Sequence, residues 1–183
     1  KLGQFRGREA LGFARRWQEA ETDPAVKKAL QKAIAQQTVV PPWDATKATG
    51  PPDAKPATKD HRNAWASKAA NGGREWLELT YATPLRAHRV RIYEVLSAGA
   101  VVAVETVDGA GRRRTVWRGD DPTTVPGPFE VTFPLTSYGV KRVRVILDTT
   151  RRSGWNEIDA VELVGPDGRA WASGAVASTT FGQ

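Results

Sequence analysis

From Glu75 onward the chain alternates apolar and polar residues over short runs, and nothing of helical period lies between them. The runs are 76–81, 87–93, 101–107, 115–117, 129–133, 143–147 and 158–163, and period-2 alternation is the mark of a half-buried strand. Turn-forming residues separate them: Thr83-Pro84, Ser97-Ala98-Gly99, Asp108-Gly109-Ala110-Gly111, Pro126-Gly127-Pro128 and Gly165-Pro166-Asp167-Gly168. Seven or eight short strands without helical crossovers can only build an antiparallel sandwich or barrel. Charges set between apolar residues, as in Arg89-Val90-Arg91-Ile92, predict one wet face for each sheet.

The first forty residues have a different texture. Helix formers dominate from Gly7 to Gln37, and Leu11, Phe13, Ala14, Trp17 and Ala20 make a broad apolar face. Asp23-Pro24 then offers a cap and a first-turn proline, and Val26, Leu30, Ala33 and Ile34 give a second stripe. The pattern predicts a helical hairpin over 7–20 and 24–37. Residues 1–40 are therefore a helical hairpin or linker appendage, and 41–183 the β domain. Prolines 41, 42, 51, 52 and 56, with Gly50, make the intervening stretch a loop. The sequence has no methionine, so Lys1 is not a translation start, and a piece of a larger multidomain chain is expected.

Composition removes most chemistry. Without cysteine there are no disulfides, thiolate metal sites or thiol nucleophiles, and two histidines, His61 and His88, make a multi-histidine centre improbable. Nucleophile elbow, zincin helix, P-loop and dinucleotide fingerprint are all missing, and the paired acids fall in turns or at the start of a strand, so no enzyme is expected. No apolar run nears the ~20 residues that span a bilayer, so no membrane insertion is expected. The net charge of +7 first points to an anionic partner. Over half of it belongs to residues 1–40, with 8 basic and 4 acidic residues, which leaves the β domain mildly basic. In Arg112-Arg113-Arg114 strand geometry puts Arg113 on the face opposite its neighbours, which splits the charge.

Four segments in order, Ala48-Thr49-Gly50-Pro51-Pro52-Asp53, Ala64-Trp65-Ala66-Ser67, Glu75-Trp76-Leu77-Glu78-Leu79 and Val90-Arg91-Ile92-Tyr93-Glu94, followed by 155–165, resemble galactose-binding-like jelly-roll domains of the discoidin and coagulation factor type C kind. The resemblance spans about 44–165 and implies a mainly β, antiparallel jelly-roll sandwich behind the short helical hairpin. Its closest subgroup occurs as accessory domains of large bacterial surface proteins and in one group of F-box proteins, which implies an extracellular or cell-surface setting. Trp65 is expected to plug the core, and Trp76 to close one end of the sandwich.

The resemblance also implies where ligands sit. A structural Ca²⁺ often ties the early loop to the last strand in such domains, and Asp53 and Asp159 match the two acids. Here Asp53-Ala54-Lys55-Pro56 replaces the usual Asp-Gly-Asn, so a plain Asp–Arg or Asp–backbone contact is the alternative. Loops at one end carry the ligand, and the richest one holds Arg151, Arg152, Trp155 and Asn156, an aromatic plane with guanidinium forks and an amide. His61 and Arg62 of the early loop could join them. The alternative is Trp155 folded down as a core lid. The expected function is thus a non-catalytic module recognising carbohydrate or a protein surface, with a nucleic-acid-binding module or a structural docking domain as alternatives.

Overall fold

The computed structural model describes residues 15–38, 40–55 and 59–183. The chain divides into two compact units, Lys1–Pro41 and Pro42–Gln183. In the first, helix α1 is described over residues 15–20, and its expected beginning at residue 7 lies outside the described residues. Helix α2 spans Pro24–Thr38. Asp23 caps it as the sequence predicts, since its Oδ1 accepts from the N–H groups of Ala25 (2.8 Å) and Val26 (3.3 Å).

The second unit is a sandwich of two antiparallel sheets. Its strands are β1 (Trp65–Ala66), β2 (Arg74–Leu85), β3 (Arg89–Glu94), β4 (Val101–Asp108), β5 (Arg113–Arg118), β6 (Gly127–Thr132), β7 (Val140–Asp148), β8 (Glu157–Gly165), β9 (Gly168–Trp171) and β10 (Gly174–Ala177). One sheet runs β1-β8-β3-β6, with β9 also on β8, and the other runs β10-β2-β7-β4-β5. Only β4–β5 and β8–β9 are neighbours both in sequence and in a sheet. Most turns therefore carry the chain from one sheet to the other, as a jelly-roll topology demands.

Alternation decides what enters the core. Leu77 and Leu79 of β2 pair with Val145 and Val143 of β7, while Val90 and Ile92 of β3 pair with Leu163 and Val161 of β8. All eight side chains are buried in one cluster shared by the two sheets. Tyr81 crosses between them, its hydroxyl donating to the Val161 carbonyl at 3.3 Å, and burial pushes its ionisation well above the ordinary tyrosine range. Trp65 is fully buried, as expected, with its indole N–H on the Thr179 carbonyl at 3.0 Å.

Trp76 departs from expectation. It follows inward Glu75 and precedes inward Leu77, so alternation turns it outward, where the Arg144 guanidinium lies 3.9 Å above its ring. Pro84 is a second departure, because β2 runs on to Leu85 through a register shift after Thr80 where a turn is expected.

The outer faces are charged but not free. Glu78, nearly buried, is ringed by Arg113 (3.1 Å), Arg142 (3.2 Å) and Arg144 (2.8 Å). Arg112 and Arg114 both reach Asp108, at 2.9 and 3.2 Å, so the splitting of the arginine triplet read from strand period holds. These contacts hold Asp108 down to about 2, chiefly through the Arg112 backbone N–H.

Candidate functional site: an aromatic cleft beside the last strand

The loop between β7 and β8 meets the early loop at the start of β8. Asp148 caps a short 3-10 turn, Thr149–Arg151, and the chain then reaches Gly154 with a left-handed φ of 93°. Trp155 follows, 38% exposed, and Phe181 stands edge-on to it at 5.6 Å and 88°. Phe181 is also edge-on to Trp43, at 5.1 Å and 72°. The three rings line, with Asp60, Glu157, Leu96 and Ala66, a cleft of about 110 Å³.

Two carboxyl groups give the cleft its polar side. The Trp43 indole N–H donates to Asp60 at 2.8 Å, which fixes both the ring and the acid. Glu157 is 2% exposed and accepts from the His61 backbone N–H at 3.0 Å. Burial, with Asp60 beside it, pushes Glu157 up to about 8, although the His61 N–H opposes the shift. Glu157 is thus a neutral acid at neutral pH, able to donate as well as accept.

Backbone strain gathers here as well. The non-glycine residues with left-handed φ among the described residues are Trp43 (57°), Asn71 (52°) and Ser97 (48°). Trp43 is clamped by backbone bonds to Arg62 and Ala66, Asn71 accepts from the Gly154 N–H, and the Ser97 hydroxyl donates to the Ser153 carbonyl. All three brace the cleft or the Trp155 loop, and strain of this kind persists only where the surroundings hold it.

The residues singled out in the sequence take different places. Trp155 lines the cleft, and the early loop does reach it, through Asp60 and His61. His61 bonds Glu157 through its backbone and accepts from the Asn63 N–H at 3.2 Å, while Arg62 is exposed and contributes its carbonyl to Trp43. Arg151 turns to Asp120 and Asp148. Arg152 turns inward, donating to the Thr123 carbonyl at 3.0 Å. Asn156 is buried and donates to the Ser97 carbonyl, as a side chain that supports the loop from beneath. Asp159 accepts from the backbone N–H groups of Asp53 (3.3 Å) and Ala54 (3.2 Å). Burial raises Asp159 above its usual range, these two donors opposing. The early loop and the last strand are therefore joined by a hydrogen-bonded latch, the alternative weighed for these two acids. N–H groups face the carboxylate where a cation needs carbonyl oxygens, so this donor set does not fit Ca²⁺.

Sequence reasoning missed Trp43, Phe181 and Asp60 as members of the site.

Residues 25–173 match the family described as pappalysin-1, SD scarf domain, C-terminal. The chain belongs to this family. The SD scarf domain is a C-terminal accessory domain of a larger protein, pappalysin, and is consistent with a non-catalytic module. The match names no galactose-binding or discoidin family. No curated protein matches the chain. Among the described residues no SD scarf helix is long and apolar enough to cross a membrane.

Proposed function

We propose that this SD scarf domain is a non-catalytic binding module that takes carbohydrate in the cleft between Trp43, Trp155 and Phe181. The observation that carries the reading is the pairing of an accessible indole face at Trp155 with two carboxyl groups, Asp60 and Glu157, on the same small cleft. A pyranose ring stacks its C–H face on an indole while its hydroxyls need partners that both donate and accept. A neutral Glu157 does both, and Asp60 accepts. The resemblance to galactose-binding-like domains supports the same choice.

The basic residues do not support the nucleic-acid alternative. Arg112, Arg113 and Arg114 are each engaged with Asp108, Glu78 or Glu105, and Arg151 with Asp120 and Asp148. These four arginines already have acidic partners at the domain's surface, whereas polyanion binding needs cations free to displace counterions.

A glycan array probed with wild type and Trp155→Ala tests the proposal. Binding that disappears in the variant supports it, and binding of equal strength in both removes this cleft from the account.

A further inference from the structure

The charge and the rings of the cleft both ask for more than a neutral ligand gives. Apart from Trp43, Trp155, Phe181, Leu96 and Ala66 its lining consists of Asp60 and Glu157, both acids. Among the described residues no lysine, arginine or histidine side chain lines it. His61 and Arg62 border a neighbouring open hollow that shares only Trp43 and Asp60 with the cleft. Lys59 and Arg62 stand close to Asp60 in sequence, yet among the described residues no basic side chain is ion-paired with Asp60 or Glu157. The two acids feel one another, since Asp60 adds to the burial that opposes the ionisation of Glu157. An acid pair without a counter-charge favours a cation beside it.

The rings are equally without a cation. Elsewhere the domain supplies its own: the Arg144 guanidinium lies 3.9 Å from the Trp76 ring centre and that of Arg114 lies 4.0 Å from that of Tyr138. Among the described residues no arginine or lysine lies over Trp43, Trp155 or Phe181. Phe181 meets the two indoles at 72° and 88°, and an edge contact of this kind covers at most one face of an indole. An indole face attracts a cation through its quadrupole, most strongly where both are shielded from water. The volume of about 110 Å³ is below the ~150 Å³ of an engineered cavity that takes a benzene ring, so a compact head group fits inside. A hydroxyl leaves the ring quadrupole unused, and a carboxylate or phosphate is repelled by the acids. An alkylammonium group answers the acids and the indoles with its charge, and the apolar lining with its carbon shell.

We propose that the cleft of Trp43, Trp155 and Phe181 is a seat for a ligand's alkylammonium group, held by the aromatic rings and by Asp60. For an ammonium that carries N–H groups, Glu157 supplies a second acceptor. The seat shares its cleft with the carbohydrate reading and does not rest on it: an amino sugar satisfies both, and a choline head group only this one.

The test titrates the 183-residue chain with choline against its neutral isostere, in which a tert-butyl group replaces trimethylammonium. A second pair sets glucosamine against glucose at mildly acidic pH, where the sugar amine is charged. The indole N–H resonances of Trp43 and Trp155 report occupancy by NMR, and those of the remaining tryptophans show that each variant is folded. Saturable binding of at least one cation is expected, with a Kd of about 1 mM and at least about tenfold tighter than that of its neutral partner. The tighter of the two cations assigns the group to a quaternary head or to a sugar amine. Asp60→Asn and Trp155→Ala should each weaken cation binding at least about fivefold. Equal affinity for cation and neutral partner, no saturation by either cation up to about 50 mM, or an unchanged cation affinity in either variant overturns the inference. Binding of a neutral glycan that Trp155→Ala abolishes, with no response to either cation, overturns it and leaves the carbohydrate reading in place. A cation response without any glycan binding does the reverse.

Discussion

The backbone N–H of His61 donates to the Glu157 carboxyl at 3.0 Å, across 96 residues of sequence. With the Asp159 contacts to Asp53 and Ala54, it sets the early loop against the last strand and so positions Trp43 and Asp60 beside Trp155.

The pH profile of stability should carry the mark of Glu157. Its folded pKa, about 8, lies above the ordinary value of 4.5 that holds in the unfolded chain. A raised carboxyl pKa means that the folded state holds the proton more tightly, so the stabilisation is complete below 4.5 and is lost as pH rises towards 8. Tm should fall across that window, to which Glu94, raised to about 8 by burial and by Asp121, contributes with the same sign, and Glu157→Gln should make the fall shallower. Asp108 acts with the opposite sign: its pKa is lowered to about 2, so its contribution is present above 3.8 and lost as pH falls towards 2. Thermal scans from acid to mildly alkaline pH should show a maximum near pH 4–5, and a Glu157→Gln profile identical to wild type would contradict this assignment.

Two tryptophans should separate by role. Trp65 is fully buried and hydrogen-bonded, so Trp65→Ala should cost ~3–5 kcal/mol and lower Tm steeply. Trp155 is 38% exposed and, among the described residues, stands against the Phe181 ring alone, so Trp155→Ala should cost no more than ~1 kcal/mol. Denaturant unfolding of the two variants distinguishes them.

Gly99 should tolerate no side chain. Its φ is 102° and a Cβ would lie 2.3 Å from the Thr123 carbonyl, a backbone atom that cannot swing aside. Gly99→Ala should lose ~2 kcal/mol or more, whereas Gly109→Ala, with nothing within 4 Å, should stay within ~0.5 kcal/mol of wild type. Equal Tm values for the pair would show that the Gly99 turn and the Thr123 segment are not interlocked.

Removing Glu78 should expose the charge that the fold conceals. Arg113, Arg142 and Arg144 lose their shared partner in Glu78→Gln, and partly exposed arginines of this kind should cost the domain ~1–2 kcal/mol. The variant should also bind duplex DNA with a steeper dependence on salt than wild type, as read by fluorescence anisotropy. A steep slope already present in wild type would reinstate the nucleic-acid alternative.

Alternation alone carried the sequence to the sandwich and to the right parity for Leu77, Leu79, Val143, Val145, Arg112, Arg113 and Arg114. The same rule, applied to Trp76, points it outward, where the indole was expected to close one end of the sandwich; the Arg144 guanidinium covers its ring instead. β9 and β10 were missed because Gly168–Trp171 and Gly174–Ala177 are too short and too rich in small residues to show a period. Trp155 and the early loop were legible as parts of a site. Trp43 and Phe181 were not, since the ring contacts that join 43, 155 and 181 arise only when the two chain ends of the domain meet. Nor does sequence reveal that the Glu94 and Asp121 carboxyl groups lie buried, each accepting from a loop N–H, that of Gly99 and that of Thr123.

Calorimetric titration of an array-positive glycan into wild type and Trp155→Ala, both first shown to unfold cooperatively at similar temperatures, tests the central claim most directly. The account predicts that the variant binds at least about tenfold more weakly, the loss of roughly 1.4 kcal/mol or more that a stacking aromatic contributes. Equal affinity in the two proteins would contradict it.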